Sequence, residues 1–219
     1  MSLSMGLISL STRLMSPSQT LKCLVWLLVS FPFVRWVFLI SQDQLGANPV
    51  EFLTRSSGTW TLVMLAATLS MTPLTRLTGT NLWIAVRQSL GLSCFFYGSL
   101  HALCWAWFDQ GLDPDLMADD LITRPFIALG MAAWLILSIL AASSPRFAKR
   151  RLGRRWKPLH RSIYALAILV VLHYLWHKAG KNDFSEAGPW SALLIALLLF
   201  RVRFAKVRQW FHARGSHEG

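Results

Sequence analysis

The sequence predicts an all-α membrane protein, a bundle of six transmembrane helices with both termini in the cytoplasm. Three observations carry this expectation. Apolar residues make up 54% of the 219 residues and charged residues only 15%. The apolar residues fall in blocks near the length of a membrane helix, about 20 residues for a ~30 Å hydrocarbon core. The formal net charge of +12 is distributed very unevenly among the connections between those blocks. A mean hydropathy of +0.44 is too high for an ordinary soluble domain and excludes disorder. A basic nucleic-acid-binding chain would spread its charge over a polar surface, so that class is excluded as well.

The blocks follow in order. The first, 21–40, is longer than the apolar core of a signal peptide, and no small-x-small cleavage site follows in 41–47. It is expected to stay in the chain as a span. The second, 58–71, is short for a crossing and is expected to tilt or to borrow polar neighbours. Blocks 89–108, 126–142 and 159–176 are closer to full length, and the last, 189–202, is again short. The expected organisation is a cytoplasmic segment 1–20, a six-helix transmembrane domain 21–203 and a basic cytoplasmic tail 204–219. No connection is long enough to fold as a soluble domain, and no internal repeat is evident.

Charge then orients the bundle. With the N-terminus inside, 17 of the 22 basic residues face the cytoplasm, including the run from Arg146 to Arg161 and the tail from Arg201 to Arg214. Only Arg55, Arg124, Lys178 and Lys181 face outward, with Arg35 inside the first span. Lys and Arg counts set topology, so both termini are expected in the cytoplasm. Nine of the ten acids then lie outside. Tryptophans cluster near both expected boundaries, Trp36, Trp60, Trp105, Trp107, Trp176 and Trp190 outside and Trp83, Trp156 and Trp210 inside.

Cys23, Cys94 and Cys104 all fall in apolar spans without a CxxC pair, which excludes a disulfide framework and a thiol oxidase. Histidines are more informative, because ionisable groups in a span are costly. His101 lies about 13 residues, or ~20 Å, from the expected inner boundary of its helix, and His173 about 14 residues, or ~21 Å, from the same boundary. Two imidazoles at one depth on two helices can clamp a metal ion or a haem iron. Either one alone could merely hydrogen-bond a neighbouring helix. His160, at the inner end of its span, stays open on spacing. It is 13 residues from His173, which on an ideal helix puts the two on different faces. His177 sits at the outer interface, where water solvates it, and His212 and His217 lie in the polar tail. Gly91, Gly98 and Gly130 could make room for a flat macrocycle or simply let helices approach.

Six motifs occur in order: LGANPVEFLTRSSGTW (45–60, taken as an outer loop), TPLTRLTG (72–79), LGLSCFFYGSLH (90–101), TRPFIALGM (123–131), RRLGRRWKPLHR (150–161) and HYLW (173–176). On these the chain closely resembles the MsrQ (YedZ) family, within the ferric-reductase-like transmembrane group. The resemblance runs from about residue 21 to 203. It implies a haem b protein, reported also to carry FMN, in the bacterial inner membrane. Such a subunit takes electrons from the quinone pool or a cytosolic flavin reductase and passes them to MsrP, a periplasmic molybdopterin enzyme that repairs methionine sulfoxide. It does no bond chemistry of its own. The family's haem-associated histidines fall on His101, His160 and His173, with His101 and His173 expected as the axial ligands. Larger ferric reductases carry two histidines on each of two helices; here the inner counterpart of His160 is Arg87 or Gln88. An FMN or quinone near His160, with Arg87 and Arg161 beside it, therefore fits at least as well as a second haem. His177 departs from the family pattern and either competes with His173 or is incidental.

Three further readings compete with this one. A cytochrome b carrier with a different partner keeps the same histidines. A histidine-based metal transporter requires acidic ligands at mid-membrane depth, which the sequence lacks. A purely structural anchor needs no buried histidines at all.

Overall fold

Prolines and their capping partners decide where the first helices begin. The structure, a computed structural model, describes residues 16–180 and 182–215, with side chains as far as Arg201. Arg13, Lys181 and His217 lie outside the described residues, as do the side chains of Arg203, Lys206, Arg208, Trp210, His212 and Arg214. Helix α1 (Pro17–Ser41) opens on Ser16, whose hydroxyl accepts the Gln19 amide while the Gln19 side chain accepts the Ser16 amide at 2.9 Å. Two free amides of the helix start are thereby satisfied, and Pro17 has none to lose.

Helix α2 (Pro49–Thr78) starts in the same way, with Asn48 accepting the Glu51 amide at 3.1 Å ahead of Pro49. It stops at Gly79, whose φ of +69° is a left-handed position that glycine adopts without strain. This start corrects two expectations. Residues 49–60 are not loop, so Glu51, Thr54 and Arg55 ride on the first turns of a helix. The short block 58–71 is the apolar middle of a 30-residue helix, about 45 Å long by its rise.

Helix α3 (Leu82–Cys104) runs into a wide π turn over Trp105–Asp109. A short helix, α4 (Pro114–Thr123), capped by Asp113, leads to α5 (Pro125–Ala142). The expected basic loop is also largely helical, as α6 (Arg146–Leu152), a 3-10 turn and α7 (Trp156–His160). Its axis bends by 45° into α8 (Ile163–Ala179). The last helix is α9 (Ala187–Gly215).

Of the six long helices, α1, α2, α5 and α9 each contain a whole apolar block, whereas block 89–108 runs from α3 into the π turn and block 159–176 begins in α7 and continues in α8. By length and composition α1 and α5 suffice to cross a membrane, and α6–α7 with α8 does so taken as one bent span. The other described residues form short helices, turns and connections, with no strand. α2 packs on α3 and α5 on α8; α3 joins the two pairs through α5, α1 covers α3, and α9 lies on α2 and α8. Leu65, Leu69, Tyr97, Leu166 and Ala167 fill the centre at 1% exposure or less. Tyr97 donates to Val29 O at 2.5 Å, in the turn of α1 that Pro32 interrupts. Leu27, Leu28, Phe31, Val34 and Phe38 of α1 stand exposed on its outer surface. So continuous an apolar face suits hydrocarbon, not water.

Candidate paired-histidine site

The fold brings His101 of α3 and His173 of α8 together, with ring centres 6.3 Å apart and ring planes at 80°. Two imidazoles bonded through Nε2 to one metal ion, at about 2.0 Å each, hold their ring centres about 6 Å apart. The observed spacing suits one shared ion between them. The opposite ring edges are tied down. His101 Nδ1 lies 2.9 Å from Thr54 O, and His173 Nδ1 lies 2.6 Å from Phe126 O. A carbonyl can only accept, so Nδ1 carries the proton in both rings and Nε2 keeps its lone pair for a metal.

The two halves of the site follow one pattern. Each histidine lies 47 residues beyond the carbonyl that it meets. In both cases a glycine sits four residues after that carbonyl, Gly58 in α2 and Gly130 in α5. A Cβ on Gly58 would stand 3.2 Å from His101 Nδ1, and one on Gly130 would stand 2.9 Å from His173 Nδ1. The pairs α2–α3 and α5–α8 therefore repeat a spacing rather than a sequence, which is why reading along the chain finds no repeat. In the same register Gln88 matches His160. Gly98 serves differently, facing Leu137 and Thr61, and Gly91 meets only Thr68. Sequence reasoning missed Gly58; its cue was the Thr54–Gly58 spacing of four on an α2 that starts earlier than expected.

Polar groups ring this end of the bundle. Asp120, 6% exposed, accepts from Trp105 Nε1 at 2.8 Å and Gln110 Nε2 at 2.9 Å, and pairs with Arg124. That carboxylate fastens α4 over the π turn following His101. Glu186 lies 3.8 Å from Arg55 and 3.5 Å from the buried Lys178, linking α2, α8 and the connection before α9. Two hydrogen bonds from Ser185 hold the Asp183 carboxyl below the usual carboxylate range, so it stays ionised beside Lys178. His177 packs its ring on Phe126 at 5.2 Å, and Arg35 lies over the Phe52 ring at 5.9 Å.

His160 belongs elsewhere. It sits in α7, where Trp156 stacks on it at 4.1 Å and Ser143 Oγ lies 3.0 Å from its Nε2. It is set apart from His173 by the bend between α7 and α8, not by phase along one ideal helix. His160 lines a cavity of about 500 Å³, within the range of small-molecule pockets. Arg87, Lys149, Lys157, Arg161 and Arg201 line it too, over a floor of Leu65, Leu137 and Leu140, with no carboxylate among the described residues. Among the described residues Arg201 Nε, buried there, has no hydrogen-bond partner. Clustered positive charge above an apolar floor suits an anionic ligand with a flat apolar body. Arg201 was expected only as a topology determinant.

Among the described residues no three or more His, Cys, Asp or Glu side chains gather as an ion-binding cluster. Cys23, Cys94 and Cys104 are free thiols.

Comparison with known proteins agrees with the resemblance read from the motifs. The family model described as the ferric reductase like transmembrane component matches residues 57–171. The protein-methionine-sulfoxide reductase heme-binding subunit MsrQ of Bordetella pertussis is 50% identical over 196 residues, 90% of this chain and 93% of that one. Its counterpart from Ralstonia nicotianae is 49% identical over 209 residues, 94% and 93% of the two chains. That of Yersinia pestis is 36% identical over 195 residues, 87% and 95%.

Proposed function

This chain belongs to the MsrQ family, and from that premise we propose that it is the haem b membrane subunit of a methionine sulfoxide repair system. It carries electrons across the bacterial inner membrane, from the quinone pool or a cytosolic flavin reductase, to a periplasmic molybdopterin enzyme of the MsrP kind. The observation that supports this best is the His101–His173 pair, 6.3 Å apart with both Nδ1 atoms anchored on carbonyls. The donor set fits a haem iron, which His101 and His173 would hold. Haem held by two imidazoles would supply a one-electron centre with no open coordination site.

The chain's own residues do the rest. Thr54 O and Phe126 O hold each imidazole in one tautomer and strengthen it as a donor. The packed core of Leu65, Leu69, Tyr97 and Leu166 keeps water out of the middle of the bundle. In the proposed orientation all six long helices cross the membrane and both termini are cytoplasmic, as the distribution of Lys and Arg supports. The histidine pair then faces the periplasmic half and the basic cavity the cytoplasmic half. A single centre does not span ~30 Å, so a second station is required. The cavity at His160, Arg87 and Arg161 supplies it, taking FMN, a quinone or a second haem.

A reduced-minus-oxidised absorption spectrum of the purified protein tests the reading. Bands of a b-type haem are expected, and their absence overturns it. Chromatography of the extracted cofactors gives the haem count and shows whether FMN is bound.

A further inference from the structure

We propose that Gly58 and Gly130 are positioning residues for the two axial imidazoles, each opening a notch in its helix through which a ring reaches a backbone carbonyl. The inference rests on the haem reading above.

Side chains in an α-helix lean toward its N-terminus, so the side chain at one position covers the carbonyl four residues before it. This protein displays the rule repeatedly. Thr61 donates to Ser57 O at 2.8 Å, Thr68 to Met64 O at 2.7 Å, and Ser138 to Trp134 O at 2.8 Å. At 58 and 130 there is no side chain, and the space over Thr54 O and Phe126 O holds an imidazole edge instead. A carbonyl oxygen has two lone pairs, which at Phe126 O can serve the helix amide and the imidazole N–H together; Thr54 O accepts the Ser57 hydroxyl at 3.0 Å as well. Glycine is the least favourable helix residue after proline, and both of these stand inside helices. The notch gives them a purpose there.

The chemical effect is directional. A carbonyl on Nδ1–H makes the imidazole a stronger donor to iron, which favours the oxidised state. Pushing the ring off its carbonyl weakens the donor and raises the midpoint potential. Gly98 is the control, since a Cβ there would meet Leu137 at 3.1 Å and Thr61 at 3.4 Å but no histidine.

The test uses the full chain, purified in detergent, as wild type, Gly58→Ala, Gly130→Ala and Gly98→Ala. Redox titration of the haem bands and electron paramagnetic resonance of the oxidised protein are recorded on each. Gly58→Ala and Gly130→Ala should have a more positive potential and altered g-values, with the larger shift at Gly130. Gly98→Ala should match wild type in both. Should the tight Gly130 site lose its haem when substituted, Gly58→Ala decides alone. Wild-type potential and spectra in a haem-loaded Gly58→Ala overturn the notch and leave the haem reading intact. Equal shifts in Gly98→Ala also overturn it, because the effect would then be general packing. A wild-type protein without b-type bands removes the haem reading, and the notch with it.

Discussion

Arg201 donates through Nη2 to the carbonyl of Leu69 at 2.9 Å, the carbonyl that Pro73, four residues on, leaves without an amide. The same guanidinium reaches Thr72 Oγ1 at 3.0 Å and, through Nη1, Tyr164 Oη at 3.0 Å. One side chain of α9 thereby repairs a break in α2 and ties both helices to α8. Removing it strands a buried acceptor, so Arg201→Ala should cost about 1–3 kcal/mol. In a Pro73→Ala background the new amide pairs with Leu69 O, and the cost of Arg201→Ala should fall by about 1 kcal/mol. Thermal unfolding of the four variants in detergent measures this coupling; additive costs would show that the two residues act independently.

Loss of either proposed axial ligand should remove the haem signal of the pair. His101→Ala and His173→Ala are expected to lose most of that b-type absorbance. His177→Ala should keep it, because that ring packs on Phe126. His160→Ala should also keep it, because His160 lies beyond the bend, in the basic cavity. Full spectra in both His101→Ala and His173→Ala would assign the iron to other residues.

Helix identity was legible in the sequence because apolar blocks of membrane length have few alternatives. Helix ends were not, since Asn48 and Pro49 start α2 within a stretch whose polarity reads as loop. Equal depth of His101 and His173 followed from counting residues, but the carbonyls that hold them did not. Backbone acceptors on neighbouring helices leave no trace in composition; only Gly58 and Gly130 mark them. Arg201 reads in sequence as one more positive charge, and its partner Leu69 O becomes visible only when α9 lies against α2.

Asp120 should matter more than any exposed acid at the same end. Its buried carboxylate accepts from Trp105 and Gln110 and pairs with Arg124, whose side chain is half exposed. Solvent weakens the Arg124 contribution, so most of the effect comes from the two neutral donors. Asp120→Ala should destabilise the protein by about 2–3 kcal/mol, with Asp120→Asn closer to wild type. Thermal unfolding followed by tryptophan fluorescence reads this directly, and an unchanged Tm in Asp120→Ala would mean the latch carries no stability.

The basic cavity offers the sharpest check on the second station, because its charge makes a prediction that its shape does not. Arg87, Lys149, Lys157, Arg161 and Arg201 line a space of about 500 Å³ that has no carboxylate among the described residues. Lys149 Nζ donates to Gln88 Oε1 at 3.1 Å and lies 5.1 Å from the Trp156 ring centre. A flavin phosphate entering there would gain charge-assisted hydrogen bonds, each worth about 1.5–3 kcal/mol, that riboflavin cannot make. FMN should therefore bind about 10- to 100-fold more tightly than riboflavin. Lys149→Gln and Arg161→Gln should each narrow that ratio, and so should added salt, without a matching loss of riboflavin affinity. Quenching of flavin fluorescence on titration into the detergent-solubilised protein gives both affinities. Equal binding of the two flavins would remove the phosphate from the site and leave a neutral quinone or a haem as its occupant.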